Sequence, residues 1–239
     1  NKIGTSIGEI GVDINNAIFA SAGRYMAIAE SDGQKFYLIN GKEKIFEHEI
    51  EGNISQIKVN RSGYVSIVVS NTTYKSIIDV YDKNGKEIFK TNLVSSTVVD
   101  VAISDDSKYL AIAEVDLSGI LIRSIIKTIS IEMAQIMHTY EAPTDKLIMN
   151  IEYQEKNKLI CMYNDNIESL EGETSTEILK YEDKKIAFCT VDINNRIAIL
   201  EEISTGDYTA DTNIKIINPY DLKEQSYLIN DVAKSIYTY

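Results

Sequence analysis

"SDDSKYLAIAE", residues 104–114, decides how this chain is read. A polar tight turn leads into a basic residue, an aromatic one, and then small and branched apolar residues. The rhythm returns as "AGRYMAIAE" from Ala22, "RSGYVSIVV" from Arg61, "KNKLICMYN" from Lys156 and "NNRIAILEE" from Asn194. Anchored at Gly23, Ser62, Ser107, Asn157 and Asn195, the copies are spaced by 39, 45, 50 and 38 residues. A repeat of roughly 40–45 residues is the length of a four-stranded propeller blade.

The flanks of each anchor support that reading. "ISQIKVN", "VVDVAIS", "LIMNIEY" and "IAFCTVD" precede the anchors. They alternate at period two, the mark of a pleated strand with unlike faces. Gly, Ser, Asn and Asp supply the turn, because they tolerate left-handed backbone or bond their own backbone. Downstream, Asn40-Gly41 and Asn84-Gly85 sit between apolar runs. Asn-Gly there predicts a type I′ hairpin, which needs positive φ twice. Pro219 and Gly172 mark the same turn in later repeats.

Each repeat therefore reads strand, turn, strand, loop, strand, turn, strand. The fold class is all-β, a β-propeller of four-stranded antiparallel blades in a single domain over 1–239. The repeats are placed at about 15–52, 53–96, 97–143, 144–183 and 184–231. Residues 1–14 ("GEIGVDI") and 232–239 ("VAKSIYTY") read as strands of an incomplete sixth blade, and the expectation is a fragment of a ring of six to eight blades. In "ILIRSIIKTISIEMAQIMHTY" the spacing of Ile122, Ile125, Ile126, Ile129, Met133, Ile136 and Met137 also fits a helix. β-Branched residues dominate up to Ile131, so a strand is expected to about Glu132 and a short helical insertion at 132–138.

Composition narrows the function. Lys and Arg number 24 against 36 Asp and Glu, a net charge of −12. Such a surface repels phosphate backbones, and no cluster of Lys and Arg offsets it, which argues against nucleic acid. No run of about 18 apolar residues is present to span a membrane. The chain opens with Asn1 and has no basic-plus-apolar leader, which reads as a trimmed chain.

Candidate chemistry is sparse. Cys161 and Cys189 lie inside apolar runs as small core residues; a disulfide between neighbouring repeats is the alternative, and no spacing for metal ligation accompanies them. His48 is expected on the surface of an outer strand, with Glu47 and Glu49 on the opposite face. His138 lies in the irregular stretch, near Glu141 and Asp145. Asp and Asn concentrate at 104–107, 163–169, 192–195 and 204–213. Turn chemistry explains them; calcium is the alternative, without a full EF-hand spacing. No cofactor is otherwise expected. Asp79 and Asp100 interrupt apolar runs, so each is either exposed or paired. Asp100 is a candidate for lining the central channel.

At these residues the chain resembles known families. "SDDSKYLAIAE" is similar to a recurring phrase of WD-repeat and TolB-like propellers. "VYDKNGKEIF", residues 80–89, and "PYDLKEQ" place Tyr81-Asp82 and Tyr220-Asp221 where those repeats carry Trp-Asp. Neither a Gly-His dipeptide nor any Trp occurs, a departure from the hydrogen-bonded tetrad of true WD-repeats. The passage Gly63–Lys90 resembles a clostridial family of uncharacterised propeller proteins. That resemblance implies a membrane anchor with the propeller outside the cytoplasm, and no known activity.

The expected function is a non-catalytic extracytoplasmic scaffold that binds a protein or small ligand on one propeller face. The membrane would be met only through an anchor outside this sequence. The face would be built from the loops between second and third strands, at 30–34, 70–75, 114–119 and 203–212, with Tyr74 and Tyr208 as contact residues. The alternatives are a lyase or hydrolase using channel carboxylates, calcium-dependent or not, and a ligand sensor.

Overall fold

A computed structural model describes residues 9–155, 158–181, 185–192, 194–205, 208–233 and 236. Among the described residues, twenty strands form five antiparallel four-stranded blades in a ring. Blade 1 holds β1 (Ala17–Ala22), β2 (Tyr25–Glu30), β3 (Lys35–Asn40) and β4 (Glu43–Glu49). Blade 2 holds β5 (Asn53–Val59), β6 (Val65–Ser70), β7 (Ser76–Tyr81) and β8 (Glu87–Leu93). Blade 3 holds β9 (Thr97–Ile103), β10 (Tyr109–Asp116), β11 (Arg123–Ser130) and β12 (Gln135–Glu141). Blade 4 holds β13 (Ile148–Glu155), β14 (Lys158–Tyr163), β15 (Asn166–Glu171) and β16 (Thr174–Lys180). Blade 5 holds β17 (Lys185–Val191), β18 (Ile197–Thr205), β19 (Tyr208–Ile217) and β20 (Glu224–Ile229). No helix occurs among the described residues.

The repeated rhythm is the hairpin that joins the first two strands of each blade. Asn60 Oδ1 accepts the amides of Ser62 at 3.0 Å and Tyr64 at 2.9 Å. Asp192 Oδ1 repeats this with Asn194 and Arg196, both at 2.8 Å. In the opening stretch Ser104 takes the part through its hydroxyl, which accepts the Tyr109 amide at 3.0 Å. Ser107 adopts φ 60°, the left-handed backbone that this turn requires.

Apolar faces of successive blades then pack together. Phe36, Leu38, Ile54 and Ile67 join blades 1 and 2, and Ile78, Val101 and Ile112 join blades 2 and 3. Ile126, Ile148 and Cys161 join blades 3 and 4, and Ile160, Ile197 and Ile199 join blades 4 and 5. Each such side chain contributes about 1.5–3 kcal/mol on burial. Among the described residues no apolar cluster joins blade 5 to blade 1.

Several expectations change. The helical insertion at 132–138 is absent: residues 131–134 form a turn and β12 follows, with Ile129 opposite Ile136. The helix-like spacing arose because a hairpin and a bulge at Thr128/Ile129 put apolar residues of two strands into one sequence series. The Asn-Gly hairpins exist, but only Gly41 (φ 62°) and Gly85 (φ 85°) are left-handed, so neither turn is type I′. At the second, Asp82 Oδ1 accepts the Asn84 and Lys86 amides, both at 2.9 Å, and widens the loop. His48 is half-buried rather than a surface residue: it packs against Phe36, Phe46 and Tyr81, and its Nε2 lies 2.7 Å from Gly85 O. Residues 9–14 carry no strand, and most of 232–239 lies outside the described residues. Cys161 and Cys189 are both buried and free, and burial pushes both thiols up.

Candidate binding face and axial channel

The first strands of the blades, β1, β5, β9, β13 and β17, line the axis. They all run from one face of the disc, the loop face, toward the hairpin face that carries residues 60–64 and 104–108. Near the loop face the channel opens to about 320 Å³ beside Phe19, Gln56, Asp100, Met149, Asn150 and Phe188. Toward the hairpin face a space of about 120 Å³ lies beside Lys58, Val101, Ile151, Glu152 and Thr190.

Two channel carboxylates come from different blades, and both are engaged. Asp100 is buried, 2.9 Å from the Lys58 ammonium of blade 2. Its Oδ2 accepts Asn150 Nδ2 at 2.7 Å and the Ile151 amide at 3.0 Å, both from blade 4. Glu152 accepts Thr190 Oγ1 at 2.7 Å and the Val191 amide at 3.2 Å, from blade 5. Lost hydration raises the Glu152 carboxyl, against the lowering influence of Lys58 and these donors. Gln56 makes the corresponding link from blade 2 to Val99 O at 2.8 Å. The polar channel wall is thus a set of clamps that runs from blade 2 through blades 3 and 4 to blade 5.

The loop face carries residues 31–34, 71–75, 94–96, 117–122 and 142–147. Loop 117–122 is unlike the rest: Leu117, Ile120, Leu121 and Ile122 are all exposed, Ile120 completely at 104%. Asp116 and Arg123 pair across its base. Asp116 Oδ1 accepts the Ser118 amide at 2.8 Å. Hydrogen bonds from Ser118, aided by the Arg123 guanidinium, hold the Asp116 carboxyl down to about 2. On one side lies loop 94–96, tied in by Ser96 to Glu114 and by Lys75 Nζ to Ser95 O at 3.0 Å. On the other lies loop 142–147, tied in by the Ala142 amide to Ser124 O at 2.9 Å. Val94 (68%) and Leu147 are exposed on these neighbours.

The residues singled out from sequence do not form one site. Asp100 does line the channel, as a clamp. Tyr74 sits on the loop face but is half-buried against the cluster of blades 1 and 2. Tyr208 starts β19, and its side chain lies outside the described residues, as does most of 204–213. His138 stands on exposed β12, facing Gly172 of blade 4. Asp79 is buried and paired with Lys90 at 3.1 Å. Among the described residues no three His, Cys, Asp or Glu gather as a metal site. Sequence reading missed the apolar loop; its signal was Ser118-Gly119 breaking the chain immediately before Ile-Leu-Ile.

Comparison with known proteins gives the fold and no activity. A family described as "Family of unknown function (DUF5711)" matches residues 1–228. No curated protein matches. The β-propeller domain of the Trilobed protease from Pyrococcus furiosus superposes with a TM-score of 0.61 at 11% identity, covering 90% of this chain and 72% of that one. A TolB-type protein from Agrobacterium tumefaciens gives 0.59 at 9% identity, over 90% and 80%. The Neurospora crassa Pan2 WD40 domain gives 0.58 at 12% identity, over 90% and 65%.

Proposed function

The chain belongs to the DUF5711 family, whose function is unknown, and we propose from its geometry that it is a non-catalytic binding module working through the loop face. The observation that carries this reading is the group of exposed apolar side chains on loops 94–96, 117–122 and 142–147. Contiguous exposed apolar surface marks interaction sites, because water disfavours it until a partner covers it. The rigid disc below holds those loops in fixed relation, which lowers the ordering cost of binding. The resemblance of Gly63–Lys90 to membrane-anchored propellers supports a place outside the cytoplasm, with an anchor as the tether. A sensor would use the same face, with the channel mouth as its input. We propose no cofactor: at 192–195 the Asp192 carboxylate serves its own turn, accepting the Asn194 and Arg196 amides.

A hydrolase or lyase reading draws on Asp100 and Glu152 lining one channel. Their bonds to the amides of the next blade favour the clamp instead.

The test is site-specific photo-cross-linking of the protein in its own cells. A cross-linker at Leu121 is expected to capture one discrete partner, and a cross-linker at Tyr227 on outer strand β20 is expected to capture none. Capture only from Tyr227, or from neither position, would overturn the proposal.

A further inference from the structure

We infer that the loop-face mouth of the axial channel is a site for a small organic amine with an apolar body; this goes beyond the binding-module reading, because it uses none of the three apolar loops. The space there is about 320 Å³, and the first strands of all five blades contribute to its wall. That volume lies at the small end of ligand pockets. A wall on every side admits a small molecule and excludes a folded surface.

The apolar body follows from the rim. Large apolar residues of the first strands otherwise pack between blades, as Ile54, Val101 and Ile148 do. Phe19 of β1 is instead 49% exposed and Met149 of β13 is 45% exposed, and both line the mouth. Phe188 of β17 lines it too, half-buried. Two rings and a thioether suit an aromatic or aliphatic body.

The amine follows from which polar groups at the mouth are engaged. Gln56 Nε2 donates to Val99 O at 2.8 Å, and Asn150 Nδ2 donates to Asp100 Oδ2 at 2.7 Å. A carbonyl and an ion-paired carboxylate only accept, so the orientation of both amides is fixed. Gln56 Oε1 is then a buried acceptor with no hydrogen-bond partner. Asn150 Oδ1 is a second acceptor in the same wall. A ligand that brings N–H donors satisfies them. A carboxylate or phosphate finds no match: Lys58, the one base lining this space among the described residues, is 2.9 Å from Asp100. An ammonium is favoured over a hydroxyl, because it supplies three donors and is drawn to aromatic rings.

The experiment titrates the full chain by calorimetry and ligand-observed NMR with probes that share one ring: phenethylamine, phenylacetate and phenethyltrimethylammonium. Phenethylamine is expected to bind saturably at one site. Phenylacetate, an anion, and the trimethylammonium probe, a cation without N–H, should each bind at least tenfold more weakly. Met149→Trp fills the mouth from an exposed position and should weaken the amine at least tenfold, with thermal melting unchanged. Phe19→Ala should weaken it at least threefold, and Tyr227→Ala on β20 should leave it as in the parent. No saturable binding of phenethylamine, equal binding of either other probe, or binding indifferent to both Met149→Trp and Phe19→Ala overturns the inference. Tighter binding of Nα-acetyl-lysine N-methylamide than of phenethylamine would assign the mouth to a lysine of a protein partner, and overturns it too. Failure here leaves the loop-face reading standing, because the cross-link from Leu121 tests that reading separately.

Discussion

Asp100 of β9 and Lys58 of β5 meet at 2.9 Å in the channel wall, and the same carboxylate takes the Ile151 amide of the blade beyond at 3.0 Å. One side chain thus ties three consecutive blades together. Asp100→Ala removes the acceptor shared by a channel ammonium, an Asn amide and a backbone N–H. Lys58 is one-third exposed, so the loss falls below that of a fully buried pair, and urea unfolding should find about 1–3 kcal/mol, the cost of leaving the buried Ile151 amide unsatisfied. Asp100→Asn retains an acceptor oxygen and should cost less. A loss under about 1 kcal/mol for the Ala variant would show that the clamp adds nothing beyond ordinary surface substitution.

Glu152 gives the pH prediction. Lost hydration raises its folded carboxyl above the unfolded value, so the fold holds a proton that the unfolded chain releases. Stability then falls as pH rises through the ordinary carboxylate range, and it stays lower above the folded value. Glu152→Gln removes that penalty and keeps an oxygen to accept from Thr190 and Val191. Melting temperatures of variant and parent should diverge between pH 4 and pH 8, with the Gln variant gaining at the higher pH. A gap that is constant with pH contradicts the assignment.

Gly85 and Gly41 separate two costs. Both are left-handed, at φ 85° and 62°. A Cβ at Gly85 would lie 2.8 Å from His48 Nε2 and 2.9 Å from the Phe46 ring, whereas one at Gly41 meets nothing within 4 Å. Gly41→Ala should cost about 1 kcal/mol from backbone strain alone. Gly85→Ala should cost more, because it also pushes His48 away from the Gly85 carbonyl. Equal costs in chemical unfolding would show that the His48 contact yields freely.

Tyr74 and Leu121 both lie on the loop face but should behave differently. Tyr74 packs on the apolar cluster of blades 1 and 2, so Tyr74→Ala is expected to lose about 1–3 kcal/mol of stability. Leu121 is exposed, and Leu121→Ala should stay within about 0.5 kcal/mol of the parent. Thermal melts of the two variants check this. The reverse order would mean that the loop folds back onto the disc.

How much of this was legible in the sequence follows from what each residue depends on. Blade repeats were legible because the turn after each first strand uses local chemistry: Asn60, Ser104 and Asp192 bond amides within five residues of themselves. The helix expected at 132–138 failed because Ile129 and Ile136 face each other across a hairpin, a pairing that residue spacing alone cannot separate from a helical face. Asp100 stood out only as a candidate for the channel, because its partners lie 42 to 51 residues away, and no local pattern encodes them. The apolar tip was hidden for a related reason. Ile120, Leu121 and Ile122 run into β11, so they read as the start of a buried strand until the register fixed Arg123 as its first residue.

The measurement that bears most directly on the binding-module account is hydrogen–deuterium exchange of the full chain with and without the partner captured from Leu121. The account predicts slowed exchange at 94–96, 117–122 and 142–147, with the outer strands β12 and β20 unchanged. Protection confined to β12 or β20, with the loop face exchanging as before, would contradict it.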